Sequence, residues 1–139
     1  FWLFSKMSQL VATIKKINSV DNLNIVEFDF NGLTLKMMSL DLNDDVKIGK
    51  KVELSVKPSN ISIAKNLIGE ISLSNQIVAT IQSLENGQLL TSVILKINDT
   101  LLESIITVDS SKRMNLQIGE VVTILIKASN LSIGEVLND

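Results

Sequence analysis

The chain has 139 residues, 45% of them apolar and 20% charged, with a formal net charge of −2. That apolar content supports one packed core or two small ones and excludes a disordered, solvating tail. With no Cys and no His, it also excludes disulfides, thiolate and imidazole metal sites, Cys nucleophiles and a Ser-His triad. The apolar residues never gather into the roughly eighteen uninterrupted positions that a membrane-spanning helix needs, so a soluble chain is expected. Ile and Val are abundant and Pro occurs once, a mix that suits half-buried strands. A single Arg, no Tyr and few aromatic rings leave neither the basic groove nor the stacking platform that nucleic acid requires.

Taken in chain order, an apolar stub at residues 1–4 precedes five runs with a hydrophobic period near two, at 9–17, 24–30, 33–38, 51–57 and 61–63. Asn31-Gly32 reads as a tight hairpin turn. A polar stretch at 41–47, leading to Gly49, reads as a short helical turn with a left-handed stop. Five further runs follow at 76–84, 89–97, 100–108, 121–127 and 131–133. Asn86-Gly87 and Asn98-Asp99 read as their turns, and a second polar stretch at 109–117 leads to Gly119. This content predicts an all-β chain of two tandem five-stranded OB-like barrels, each with one short helix, spanning residues 1–71 and 72–139. Barrels this small rely on a neighbour or on oligomerisation.

The two halves are copies of one unit. Residues 48–65 (IGKKVELSVKPSNISIAK) lie over 118–135 (IGEVVTILIKASNLSIGE) with eight identities in eighteen positions, against about one by chance. Upstream, 8–17 (SQLVATIKKI) lie over 75–84 (NQIVATIQSL), sharing Gln, Val, Ala, Thr and Ile. The offsets are 70 and 67 residues, a difference of three that one turn absorbs.

The second copy carries an ordered series of motifs: SLSNQIVATI at 72–81, Glu85-Asn86-Gly87, ITVDS at 106–110, Ile118-Gly119-Glu120 and IKASN at 126–130. The series resembles the molybdopterin-binding-protein (Mop, or TOBE) domain, whose pattern runs S-A-R-N-Q-L-x-G-x-V, a turn, V-T-x-E-S, L-x-x-G and K-A-S. The resemblance covers the chain once per copy. The pair is similar to the di-Mop effector domain of ModE-type molybdate-responsive transcription regulators and to small double-Mop storage proteins. What the resemblance implies is an oxyanion-binding module rather than an enzyme, taking molybdate or tungstate between the subunits of a homodimer. It further implies a cytoplasmic protein without a membrane role, reaching DNA only through a separate N-terminal domain. The stub at 1–4, with no initiator Met, fits the end of such a longer chain, a cloning boundary or a tail packed on a partner.

A tetrahedral dianion offers only acceptors, so its site is made of hydroxyls, backbone N–H groups and cations. By resemblance these are Ser72, Thr107, Ser110 and Lys127, with the backbone around Leu73, Ser74 and Ala128. In the first copy Ser5, Lys6, Met7 and Lys57 fall at matching places, but Met37 replaces the Thr and Leu40 the second Ser. The second copy is therefore expected to be the better-furnished half. The motif Arg is Met7 in one copy and Ser74 in the other, which removes a bidentate guanidinium and leaves Lys6 or Lys127 to carry the charge.

Each of these residues also has a plainer reading. Ser72 ends or caps a strand, and the Lys-x-Ser-Asn stretches at 57–60 and 127–130 are turns in which Asn supplies a left-handed backbone. Asp109 is a solvated loop acid without a second carboxylate to work with. Asp44-Asp45 lacks calcium-loop spacing and reads as helix-start charges, and Met37-Met38 reads as core filler. Three roles follow: an oxyanion sensor acting on an attached DNA-binding domain, a storage or buffering protein, and a barrel pair kept only for assembly.

Overall fold

A computed structural model describes residues 9–137, so the expectations placed on Ser5, Lys6, Met7 and the stub at 1–4 lie outside the described residues. All ten expected strands form. They are β1 (Gln9–Val20), β2 (Leu23–Phe30), β3 (Leu33–Ser39), β4 (Lys51–Ser55) and β5 (Ser62–Ala64) in the first half. In the second half they are β6 (Asn75–Asn86), β7 (Leu90–Ile97), β8 (Thr100–Thr107), β9 (Val121–Ile126) and β10 (Ser132–Val136). Alternation sets their inward faces: β2 buries Val26, Phe28 and Phe30, and β7 buries Val93, Leu95 and Ile97. The inward side chains of both halves merge into one hydrophobic cluster.

Turn chemistry fixes the register. Asn31 and Gly32 both take positive φ (51° and 86°), as a two-residue hairpin of the mirror-image type requires, and Asn98 does so between β7 and β8 (53°). Gly49 and Gly119 occupy the left-handed region (94° and 89°) and dock as equivalent turns. The Gly49 N–H donates to Ile14 O and the Gly119 N–H to Ile81 O, both at 2.8 Å, beside the bulges that bend β1 and β6 at matching positions.

Only one of the two expected helices is present among the described residues. In the second half α1 (Val108–Arg113) starts where the Thr107 side chain accepts from the Ser110 N–H, a hydroxyl N-cap. In the first half residues 41–47 form turns instead. The register of the two hairpins sets Leu40, not Met37, at the place of Thr107; Leu40 has no oxygen to cap with, and the nearby Ser39 hydroxyl donates to Asp41 O rather than accepting from a helix-start N–H. Asp44-Asp45 accordingly sits in an exposed turn.

Sheet membership departs from the expected division at residues 71 and 72. One sheet runs β10-β4-β1-β2-β3 and the other β5-β9-β6-β7-β8, so each half completes its sheet with the fifth strand of the other. The pairs Ser132↔Ser55 and Ser62↔Leu125 are repeat-equivalent, and they show the exchange to be a pseudo-twofold one. The residues that follow the two Lys-x-Ser-Asn turns cross with their strands: Ile61 and Leu131 are both buried in the shared core, and the Ser104 hydroxyl of β8 donates to Ile61 O at 2.6 Å.

Two polar contacts tie the halves further. Asn75, fully buried, spans from β6 to β3, accepting from the Lys36 N–H at 2.6 Å and donating to Lys36 O at 2.9 Å. Lys65, just past β5, pairs with Glu120 at 2.8 Å and donates to Met114 O (2.9 Å) and Asn115 O (3.2 Å) beyond the C-terminal end of α1. The hydrogen bond from Lys65, together with the Gln117 N–H, holds the Glu120 carboxyl below its ordinary value.

Candidate functional site

The structure divides the expected donors into separate groups. Thr107 and Ser110 meet at the start of α1, where the Thr107 hydroxyl donates to Ser110 Oγ at 3.0 Å and accepts from the Ser110 N–H at 3.1 Å. Arg113, the one Arg of the chain, also donates to Ser110 Oγ at 3.1 Å. Sequence reasoning passed over Arg113, although its spacing of three residues from Ser110 on a helix was the available signal. Asp109 beside them is exposed, in keeping with a solvated acid.

Ser72, Leu73 and Ser74 lead into β6 through a bend at Ser74, and the Gln76 side chain donates to Leu73 O at 3.1 Å. The register Asn75↔Ile126 carries this lead toward Lys127 and Ala128. Thr107 pairs with Leu90 at the Asn86 end of the same sheet. Thr107 and Ser110 therefore stand at the opposite end of β6 from Ser72–Ser74, and no hydrogen bond among the described residues joins the two groups.

The strand exchange creates a different constellation. Each Lys-x-Ser-Asn stretch is a turn of 3₁₀ helix, Pro58–Asn60 and Ala128–Asn130, entered from an extended Lys57 or Lys127. The turns close through Asn60 N–H to Lys57 O at 2.8 Å and Asn130 N–H to Lys127 O at 2.9 Å, without the left-handed Asn expected of them. Because β4 leads into the first turn and β10 leaves the second, the pairing of Ser55 with Ser132 sets both turns side by side. Between them lies a cleft of about 340 Å³ lined by Ser55, Val56, Lys57, Asn60, Ser129, Asn130 and Ser132. Its polar lining is three hydroxyls, two amides and one ammonium, with no carboxylate. The Ser132 hydroxyl donates to Ser55 O at 3.3 Å, while Lys57 and Ser129 are exposed to solvent.

The pseudo-equivalent edge is furnished differently. Opposite Ser62 stands Leu125, buried, where the first edge has Ser55. Lys57, of the first half, thus lines a donor-rich cleft together with Ser129, Asn130 and Ser132 of the second. In the first half Met37 is buried and Leu40 exposed. Met38, 44% exposed on the outward side of β3, is not core filler, because alternation along the strand turns it away from Met37. A roomier cleft, about 740 Å³, lies across the two hairpin tips and is lined by Asp29 and Asp99 as well as Lys51, a charge balance that suits no dianion. Among the described residues no cluster of acidic side chains is placed to hold a metal ion, and no helix is long and apolar enough to cross a membrane.

The TOBE-domain family profile matches residues 71–133. None of the curated proteins compared with the chain matches it. Among solved structures, the cytoplasmic molybdate-binding protein ModG, in a form with molybdate bound, superposes with a TM-score of 0.85 at 20% identity, over 91% of this chain and 94% of that one. A molybdate-binding protein from Sporomusa ovata is 32% identical over 43% of this chain and 90% of its own, with a TM-score of 0.42. Residues 71–133 thus form a TOBE domain, and the internal repeat carries its strand order through the first half, in the double fold that ModG also has.

Proposed function

We propose that the chain binds a tetrahedral metal oxyanion, molybdate or tungstate, in the cleft between its two Lys-x-Ser-Asn turns, and that its role is binding rather than turnover. The observation that carries this reading is the lining: hydroxyls, amides and the Lys57 ammonium, with no carboxylate to repel a dianion. The double fold shared with a cytoplasmic molybdate-binding protein supports the choice of ligand and a cytoplasmic setting. Thr107, Ser110 and Arg113 form a second donor group, and Ser72, Leu73, Ser74, Lys127 and Ala128 a third; both are candidates to complete sites against a partner subunit.

Two roles fit this binding. In a ModE-type regulator, a homodimer would shift between two arrangements as the anion binds, and would pass that shift to a DNA-binding domain. In a storage or buffering protein the anion is simply held, and the double fold shared with a molybdate-binding protein fits this role equally well. Calorimetric titration with molybdate, tungstate and sulfate tests the proposal. Heat is expected from the first two, and Lys57→Ala should weaken binding at least tenfold, because a charge-assisted contact to a dianion is lost. Lys127→Ala should have a smaller effect. No heat from either metal oxyanion would leave only the assembly role, and equal binding by Lys57→Ala would move the site elsewhere. A two-chain mass by light scattering in tungstate marks the sensor; a larger ring marks storage.

A further inference from the structure

We propose that charged residues at repeat-equivalent positions select the exchanged strand arrangement over one in which each half keeps its own fifth strand. In the repeat, Lys50 corresponds to Glu120 and Lys65 to Glu135, so two positions that are neighbours across the fifth strand carry opposite signs in the two halves. The exchange places Lys65 against Glu120 at 2.8 Å. Were β5 to fold back on β4, the same geometry would set Lys65 against Lys50, its repeat equivalent. Were β10 to fold back on β9, Glu135 would meet Glu120. Like charges thus mark both self-contained sheets, and an ion pair marks the exchanged second sheet.

Backbone and apolar contacts do not discriminate in this way. The strands that trade places, Ser62–Ala64 and Ser132–Val136, begin with the same Ser-Ile and present the same faces to the core. Their sheet partners β4 and β9 offer repeat-equivalent edges. The selection rests mainly on the second sheet. In the first, the exchange sets Glu135 opposite Glu53, with Lys50 and Lys51 at the same end of β4, and the bulge between Ile133 and Glu135 interrupts the ladder there. Lys65 is also the better anchored, since it holds the Met114 and Asn115 carbonyls as well as Glu120.

The absence of Cys makes the choice of partner readable by cross-linking. Ala64→Cys with Thr123→Cys joins residues that face each other in the exchanged sheet; Ala64→Cys with Glu53→Cys joins those that would face each other in a self-contained one. In the otherwise native chain the first pair should oxidise within one chain and the second should not. Adding Lys65→Glu, which places like charges in the exchanged sheet and unlike charges in the self-contained one, should shift the yield about tenfold toward the second pair. Adding Glu120→Lys and Lys50→Glu to that variant should return the native pattern. The same yields with and without Lys65→Glu would overturn the proposal. If Lys65→Glu fails to fold, the triple charge variant decides the matter: recovery of the Ala64–Thr123 cross-link supports selection by charge, and continued failure to fold refutes it.

Discussion

Ending the chain after Leu131 is expected to strip hydrogen-exchange protection from Lys51–Ser55, some 80 residues away in sequence (131 − 51), while Val121–Ile126 stays protected. The reason is that β10 pairs with β4, not with β9, so its removal turns β4 into a sheet edge and leaves β9 between β5 and β6. It also uncovers the partly buried Ile133 and Val136 from the first half's share of the core. Protection of the β4 amides should fall at least about a hundredfold, since they then exchange by local opening rather than by global unfolding. Loss confined to β9 would mean that each half keeps its own fifth strand.

Replacing Asn75 by Ala is expected to destabilise the fold by about 2–4 kcal/mol in denaturant titration, with little effect from Asn75→Asp at a pH that keeps the new carboxyl protonated. The side chain of Asn75 imitates a neighbouring strand: its oxygen takes the Lys36 N–H and its amide serves Lys36 O, so one residue at the head of β6 closes both backbone groups of β3. Truncation removes two hydrogen bonds and leaves a part-buried donor and acceptor without replacements, and the residue is itself fully enclosed. A loss under about 0.5 kcal/mol would show that water takes over both bonds.

The strands were legible because alternation and turn residues act locally. Val26, Phe28 and Phe30 point inward as their spacing requires, and Asn31-Gly32 adopts the hairpin that its dipeptide favours. The exchange was not legible, because β5 and β10 are interchangeable by pattern and only charges at Lys50, Lys65, Glu120 and Glu135 distinguish their partners. The missing first-half helix turned on a single oxygen, present in Thr107 and absent from Leu40, which the strand register sets at the same place. The cleft was hidden in the sequence by the strand exchange, although its motif is conspicuous. Lys-x-Ser-Asn repeats in the sequence, but Ser129 and Asn130 stand beside Lys57 only after the fifth strands have crossed. Ser72, Thr107 and Lys127, grouped by resemblance alone, lie apart within one chain.

The binding account is tested most directly by anomalous diffraction at the tungsten edge from crystals grown in tungstate. A heavy-atom peak between Lys57 and Ser129 is the result the account predicts; peaks confined to Thr107 and Ser110, or none at all, would contradict it.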